Sequence, residues 1–198
     1  DQVDRVRTAS DVSVASACVV NSIALQVFYR DESQGVLLGA VKSGNKWSYE
    51  LIDGDRKTDN RTTGDVGFHL KSYLDGNKTY LIYDSVLVVN QRKEATSGEI
   101  RLATRSDVKA DSWNYQTLDT PDFSAAVLGY DVAINKIAGK LTAAWFAAPS
   151  STLPKPDEIR TRLIDGDVTT YRTDKFGSPN TPLNLNGTTM VLSCQKRL

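Results

Sequence analysis

The sequence predicts an all-β protein, a β-propeller or partial propeller made of four-stranded antiparallel blades. Short segments in which apolar and polar residues alternate follow one another and are separated by polar turns. No stretch of ten or more residues has the periodicity of a helix. The motif W-x-Y-x-x-[apolar]-D occurs at 47–53 and again 66 residues later at 113–119. A strand-rich unit that recurs at about 40–65 residues is typical of a propeller or another repeat array.

The first predicted unit spans residues 13–53 and contains four strands. It is rich in β-branched and aromatic residues, and polar turns at 31–35 and 43–46 divide its later strands. The predicted strands are 13–20, 23–29, 36–42 and 47–53. Four antiparallel strands within about 40 residues are enough for one blade.

The second and third predicted units repeat this order. A polar linker at 54–67 precedes the second unit, which spans 68–119. Its predicted strands are 68–74, 79–89, 99–105 and 113–118. The third unit spans 123–174 and is interrupted by a proline-rich loop. Its predicted strands are 123–134, 140–147, one around 158–160, and 168–173.

The C-terminal unit is incomplete. Residues 181–198 hold two short strands, and one further strand lies within residues 1–8. The chain therefore predicts about three full blades plus a split or incomplete one, all in a single domain. Either the N-terminal strand completes the last blade and closes a four-bladed ring, or the missing blades belong to another chain. Closure matters because an unfinished blade exposes edge strands.

The composition argues against two classes of partner. Lys plus Arg and Asp plus Glu both number 24 among 198 residues, so the formal net charge is zero. No dense basic block is present, and we expect no nucleic-acid partner. No apolar run approaches the roughly 20 residues that span a bilayer, and we expect no membrane span.

The cysteines and the glycosylation sequons favour a secreted or cell-surface protein. Cys18 and Cys194 lie near opposite ends of the chain, and a disulfide between them would tie the termini together. Two buried free thiols are the alternative. Asn60, Asn77 and Asn186 each begin an N-x-Thr sequon.

Two parts of the chain resemble the repeat of fungal fucose-specific lectins. They are the segments 23–31 with 35–47, and 80–85 with 98–113. The resemblance implies a propeller that holds a sugar with an Arg, a Glu on the next strand, and a stacked aromatic ring. The second unit offers Glu99 and Arg101, but these two residues share one strand, and exposure of both to solvent is the alternative. The first unit departs from the pattern, with Leu25 or Gln26 on one strand and Leu38, Gly39 or Ala40 on the next.

The turn at 106–113 resembles a degenerate sialidase-type Asp-box, S-x-D-x-G-x-x-W. It keeps Ser106 and Trp113 but lacks the Gly and has a different spacing. This resemblance implies a relation to glycosidase propellers. Such enzymes need two carboxylates about 5–10 Å apart. The candidate carboxylates are Asp31, Asp53, Asp84, Asp119 and Asp165, each at a predicted strand end where an Asp commonly forms a turn.

Other polar residues give weaker signals. A sialidase needs clustered arginines, for which the candidates are Arg30, Arg101, Arg105 and Arg160. His69 is the single histidine and has no ligand or triad partner at a recognisable spacing. The repeated L-I-D-G-D sequence, at 51–55 and 163–167, does not match a calcium loop and predicts turns. We therefore predict no catalytic residue, no metal ligand and no cofactor.

The predicted ligand-binding residues are aromatic or charged. They are Trp47, Trp113, Tyr83, Arg101 and Glu99. Packing between blades is the alternative role for the two tryptophans. Our leading hypothesis is a non-catalytic extracellular recognition module that binds glycan or protein. The alternatives are a sialidase- or glycosidase-like propeller, or part of one, and a structural subunit that completes a propeller with another chain.

Overall fold

The computed structural model describes residues 12–20, 24–54, 60–62, 65–89, 95–107, 112–120, 131–147 and 158–172. Within these ranges the chain forms strands and turns and contains no helix. It follows that no helix there is long and apolar enough to cross a membrane. The prediction of an all-β fold is confirmed.

Twelve strands in the described ranges form three sheets, which we call blades 1, 2 and 3. Blade 1 contains β1 (Val12–Val20), β2 (Leu25–Asp31), β3 (Val36–Ser43) and β4 (Lys46–Asp53). Blade 2 contains β5 (Asp65–Asp75), β6 (Lys78–Val89), β7 (Ala95–Arg105) and β8 (Asn114–Asp119). Blade 3 contains β9 (Val132–Ile137), β10 (Lys140–Ala147), β11 (Glu158–Leu163) and β12 (Val168–Arg172).

Each blade is an antiparallel meander in which every strand pairs with the next one in sequence. The first strands of the blades are neighbours, since β1 contacts β5 and β5 contacts β9. Four-stranded meanders placed side by side by their first strands form the arrangement of consecutive propeller blades. None of the three sheets is closed on itself. The predicted propeller-like fold of four-stranded blades is therefore confirmed for this part of the chain.

The hydrophobic core lies between blades rather than within one sheet. Between blades 1 and 2, Phe28, Leu37 and Ile52 pack against residues of blade 2 such as Leu81 and Tyr83. A second cluster joins blade 2 to blade 3. Its central residues are Ile82, Ile100, Leu102, Val132, Ala144 and Trp145. Alternate residues of a strand face opposite sides of the sheet, so each central strand serves two interfaces.

A β-bulge interrupts the first strand in blades 1 and 2. The register shifts between Val12 and Ser16 in β1, and between Val66 and Leu70 in β5. The residue that faces the bulge is Arg30 in blade 1 and Asp84 in blade 2. Bulges re-aim side chains and often lie beside functional sites. In blade 2 the bulge brings the backbone N–H of His69 to the carboxylate of Asp84, at 2.9 Å.

Some strands begin earlier than predicted. β5 begins at Asp65 rather than at residue 68. The bulge lets residues 65 and 66 pair with β6 even though the alternation of apolar and polar residues is broken there. β7 begins at Ala95 in a segment predicted to be loop, where residues 95–98 still pair with β6. Residues 1–8 and 181–198 lie outside the described ranges, so the incomplete blade and the closure of the ring stay predictions.

Replacing Gly54 by Ala should destabilise the contact between blades 1 and 2. Gly54 has a φ of +100°, and an added Cβ would lie 2.8 Å from Cγ2 of Val66 and 2.9 Å from the carbonyl oxygen of Gly35. That carbonyl accepts the N–H of Val66 from the next blade at 3.0 Å. We expect a loss of about 2–4 kcal/mol in the free energy of unfolding, measured by urea denaturation.

The matched control for this substitution is Gly44→Ala. Gly44 also has a positive φ, +59°, but a Cβ there would meet no atom within 4 Å. The control should cost only the conformational term of about 1 kcal/mol. Equal losses for the two variants would contradict a packing role for Gly54.

Candidate functional site

An aspartate at the end of β4 joins blade 1 to blade 2. Oδ2 of Asp53 accepts hydrogen bonds from the Tyr83 hydroxyl at 2.7 Å and from Nε of Arg101 at 3.0 Å. Oδ1 accepts the backbone N–H groups of Gly54 and Thr62 at 2.8 and 2.7 Å. The carboxylate is fully buried. Four donors around one buried carboxylate are the condition under which such a charge is tolerated.

The same arrangement joins blade 2 to blade 3. Oδ2 of Asp119, the last residue of β8, accepts hydrogen bonds from Nε1 of Trp145 at 2.9 Å and from Nη1 of Arg160 at 2.8 Å. Tyr83 and Arg101 are cross-strand partners, and so are Trp145 and Arg160. We call each set, Asp53–Tyr83–Arg101 and Asp119–Trp145–Arg160, an inter-blade clamp. The final Asp of the repeated sequence motif is thus the acceptor of a clamp.

Burial and the neighbouring charges together fix the protonation states in the first clamp. Burial and the charge of Asp53 raise the pKa of Tyr83 well above its ordinary value, so the hydroxyl remains a donor. Burial acts to lower the pKa of Arg101, but its polar and charged neighbours, Tyr83 and Asp53 foremost, outweigh this and raise it. The clamp therefore keeps one neutral donor and one cation on Asp53 across the ordinary pH range.

Three of the predicted ligand-binding residues meet in this clamp. Nη1 of Arg101 lies 2.9 Å from Oε2 of Glu99, and Nη2 donates to the carbonyl oxygen of Asn60 at 2.8 Å. Tyr83 is fully buried and only 7% of the Arg101 side chain is exposed. Ligand binding by Tyr83, Arg101 and Glu99 stays a prediction, and their contacts favour a role in blade packing.

A second polar network fills the opposite end of the interface between blades 1 and 2. Nη1 of Arg105 lies 2.8 and 2.9 Å from the two carboxylate oxygens of Glu50. Nη2 donates to Oε1 of Gln26 at 2.7 Å, and Nε2 of Gln26 donates to the Thr79 hydroxyl at 3.1 Å. Trp113 covers this network, with Nε1 donating to Glu50 at 3.1 Å. The interface is therefore filled at both ends.

The two tryptophans of the repeated motif have different environments. Trp113 is buried, its ring stands edge-on to Phe28 at 5.9 Å between centroids, and Arg105 lies 4.4 Å from its ring centre. Trp47 is only partly buried and packs with Tyr29 and Leu38 on the other face of blade 1. The structure therefore does not bring Trp47 together with the other predicted ligand-binding residues. The contacts of Trp113 favour its packing role.

Four of the five candidate carboxylates accept hydrogen bonds within the protein. Asp53 and Asp119 belong to the clamps, and Asp31 accepts the N–H and hydroxyl of Ser33 in its turn. Asp84 binds His69. Asp165 differs, since it is exposed in the turn between β11 and β12. Asp165 is the one of these five carboxylates that lines the cleft described below.

The four candidate arginines are distributed over separate contacts. Arg101 and Arg160 belong to different clamps, and Arg105 binds Glu50. Arg30 lies over the ring of Phe68, with its guanidinium carbon 3.7 Å from the ring centre. This distribution lacks the convergence that recognition of a sialic acid carboxylate would require. In the described residues, no group of three or more His, Cys, Asp or Glu side chains is placed to hold a metal ion.

His69 has a partner that its sequence context did not indicate. Its Nδ1 lies 2.9 Å from Oδ2 of the fully buried Asp84, and Lys71 and Asp131 lie nearby. Burial acts to lower the pKa of His69, but the hydrogen bond and charge of Asp84 overcome this and the net pKa is raised. The two residues lie on adjacent strands 15 positions apart, and only the bulge in β5 aligns them.

An open cleft lies between blades 2 and 3. It encloses about 510 Å³, a volume within the range of small-molecule sites. Blade 2 contributes Lys78, Tyr80, Leu102, Thr104 and Gln116. Blade 3 contributes the turns at 139–141 and 163–166.

The cleft lies where three large or charged residues of the first interface have smaller or uncharged counterparts in the second. Glu50 lies three positions before the clamp residue Asp53, and the residue three positions before Asp119 is Gln116. Counted four positions from the clamp arginines, Arg105 corresponds to Ile164, which lies one position past the end of β11. Continued past the strand ends, the pairing of β7 with β8 sets Trp113 opposite Arg105, and the pairing of β11 with β12 sets Gly166 opposite Ile164. The exchanges from Arg to Ile, Glu to Gln and Trp to Gly remove the network that fills the first interface.

The cleft combines an aromatic ring with groups that form hydrogen bonds. Tyr80 is partly exposed on its wall, Thr104 and Gln116 lie on neighbouring strands, and Asp165 lies opposite. Nζ of Lys78 lies 4.9 Å from the centre of the Tyr80 ring. The sequence predictions did not include this site. Comparing the two units position by position from Asp53 and Asp119 would have revealed the exchange of Glu50 for Gln116.

The Asp53→Asn substitution should strongly destabilise the protein. It removes the charge that compensates the buried Arg101 guanidinium, which then retains only Glu99 as a carboxylate partner. We expect a loss of about 3 kcal/mol in the free energy of unfolding, measured by urea denaturation. The matched control, Asp119→Asn, alters a clamp whose carboxylate is 14% exposed and should cost less. A larger loss for Asp119→Asn would contradict the ranking of the two clamps.

The His69–Asp84 pair should make the stability depend on pH. Because the folded-state pKa of His69 is raised, its stabilisation is fully present below the unfolded-state pKa of about 6.5 and is lost as the pH rises through the higher folded value. The free energy of unfolding, measured by urea denaturation from about pH 5.5 to 8.5, should therefore fall with pH. His69→Gln should remove this slope, and an NMR titration of His69 provides the direct measurement. An unchanged slope in the variant would exclude His69 as its source.

Comparisons with known proteins agree with the fold. No protein-family model and no curated protein matches the chain. An α-L-arabinofuranosidase from Lactobacillus brevis is similar in structure, with a TM-score of 0.52 and 8% identity over 82% of this chain and 54% of that one. A fucose lectin from Kordia zhangzhouensis, solved with methyl-fucoside, gives a TM-score of 0.47 and 10% identity over 80% of this chain and 99% of that one.

The chain spans about half the length of the arabinofuranosidase. At 8% identity the likeness is one of fold alone, and the chain shares its bladed architecture with a solved glycosidase.

Proposed function

We propose that the protein is a non-catalytic glycan-recognition module that binds its ligand in the cleft between blades 2 and 3. The observation that carries this proposal is the exchange of Arg105, Glu50 and Trp113 for Ile164, Gln116 and Gly166. One interface is filled, and its structural counterpart holds a cleft of about 510 Å³.

The chemistry of the cleft walls suits a sugar. A sugar ring has apolar C–H faces and many hydroxyl groups, so its sites combine an aromatic surface with donors and acceptors. Tyr80 supplies the aromatic ring, Thr104 a hydroxyl, Gln116 an amide and Asp165 a carboxylate. Leu102 and Ile164 form an apolar floor.

The placement of the carboxylates favours recognition over hydrolysis. A glycosidase needs two carboxylates on opposite sides of the scissile bond. Asp165 borders the cleft, whereas Asp53 and Asp84 are fully buried and Asp119 is bonded to Trp145 and Arg160. The fold similarity to an arabinofuranosidase is compatible with carbohydrate binding and does not supply a second carboxylate in this cleft.

We propose an extracellular location for this module. Asn77, the acceptor of one sequon, lies exposed in the turn between β5 and β6. In both described sequons the threonine is buried: the N–H of Thr62 is bonded to Asp53, and the hydroxyl of Thr79 is bonded to Gln26. Cys18 lies on β1 opposite Val27. Cys194 and Asn186 lie outside the described residues, so the disulfide stays a prediction.

Replacing Tyr80 by Ala should reduce glycan binding. Loss of the aromatic surface should weaken binding by about tenfold or more, because one stacked ring contributes roughly 0.5–1.5 kcal/mol beyond its buried area. The measurement is a glycan array followed by calorimetric titration of the best ligand, with wild-type protein and the variant.

The control is Tyr49→Ala, which removes an exposed tyrosine, 36% accessible, from β4 of blade 1. It should bind as the wild type does. Absence of any glycan ligand, or equal effects of the two variants, would refute the proposed site.

A further inference from the structure

We propose that the ligand of the cleft is an acidic sugar, one that carries a carboxylate or a sulfate group. This inference rests on the proposed function and names the substrate class of the same cleft. Its basis is a local excess of positive charge in a chain whose formal net charge is zero.

Two lysines enter the cleft from its two walls. Lys78 begins β6 of blade 2 and Lys140 begins β10 of blade 3, and both are exposed. Asp165 is the acidic residue among those that line the cleft. The lining therefore has an excess of one positive charge.

The carboxylate directly across the hairpin from Lys78 already forms a salt bridge with another lysine. Asp75 is the cross-strand partner of Lys78 in the hairpin between β5 and β6. Its Oδ2, however, lies 2.8 Å from Nζ of Lys136. That salt bridge leaves the charge of Lys78 without a carboxylate partner among the described residues, and the same holds for Lys140.

An arginine behind the cleft adds to this charge. Nε of Arg162 donates to the carbonyl oxygen of Gly166 at 2.6 Å, and Nη1 donates to the carbonyl oxygen of Leu118 at 2.7 Å. Backbone carbonyls satisfy the hydrogen bonds of the guanidinium but do not cancel its charge. Arg162 lies beside the cleft rather than in its lining, where Lys78 and Lys140 accompany the carboxylate of Asp165.

Lys78 places its positive charge close to the aromatic ring of Tyr80. Its ammonium lies 4.9 Å from the centre of the Tyr80 ring, so a sugar in contact with Tyr80 brings its substituents within reach of Nζ. Partial enclosure by two blades strengthens charge interactions relative to bulk water. Asp165 remains as an acceptor for hydroxyl groups. The cleft thus suits a ligand that carries both an acidic group and free hydroxyls.

The test is an array with three classes of glycan: neutral, carboxylate-bearing and sulfated. It compares the wild type with the Lys78→Gln/Lys140→Gln double variant. The control is Lys46→Gln, a change at an exposed lysine in blade 1. We expect the wild type to prefer an acidic class. The double variant should lose at least tenfold in affinity and most of the salt dependence, whereas Lys46→Gln should bind normally. The preferred class identifies carboxylate or sulfate as the recognised group.

The outcomes separate this inference from the proposed function. Binding to neutral glycans that depends on Tyr80 and not on the lysines would overturn the acidic ligand and leave the glycan module intact. Absence of binding to all three classes would overturn both. All of these substituted lysines are exposed, so the variants should unfold at the wild-type temperature, which a thermal melt verifies.

Discussion

The assembly of the blades depends on a buried aspartate bonded to the next blade. Asp53 has no contact with solvent, and its charge is compensated by Arg101 and by the hydroxyl of Tyr83. A buried carboxylate is costly unless its partners are in place, so a register that separates these three residues is disfavoured. Asp119 makes the corresponding contacts with Trp145 and Arg160. The clamp therefore fixes how successive blades are aligned.

Since the clamp secures one end of each interface, the other end can vary without loss of the fold. Between blades 1 and 2, Arg105 binds Glu50 beneath Trp113, and the space is filled. Between blades 2 and 3, Ile164 and Gly166 leave a cleft. The proposed recognition surface thus arises from a difference between repeats, which agrees with the general observation that function belongs to sites rather than to folds.

Residues at equivalent positions of the repeated motif illustrate why sites are harder to predict than strands. Trp47 and Trp113 hold the same place in the motif, yet Trp47 packs on the face of blade 1 that is turned away from blade 2, and Trp113 packs between blades 1 and 2. Their environments differ because each depends on the blade that lies next to it. His69 shows a second limit of prediction. The bulge that aligns it with Asp84 breaks the alternation of residues along β5, and this alternation is what predicts the side of the sheet that a side chain faces.

The sequence by itself determined the strands, their order and the likeness of the units, because alternation and turn chemistry are local properties. The tertiary structure alone decided which polar side chains meet. Arg105 and Glu50 are 55 positions apart, and Tyr83 and Asp53 are 30 apart. Such pairs depend on how sheets pack face to face, and no local pattern encodes that packing. The open cleft was decided in the same way, because the interface between blades 2 and 3 lacks counterparts of Arg105 and Trp113 that would fill it.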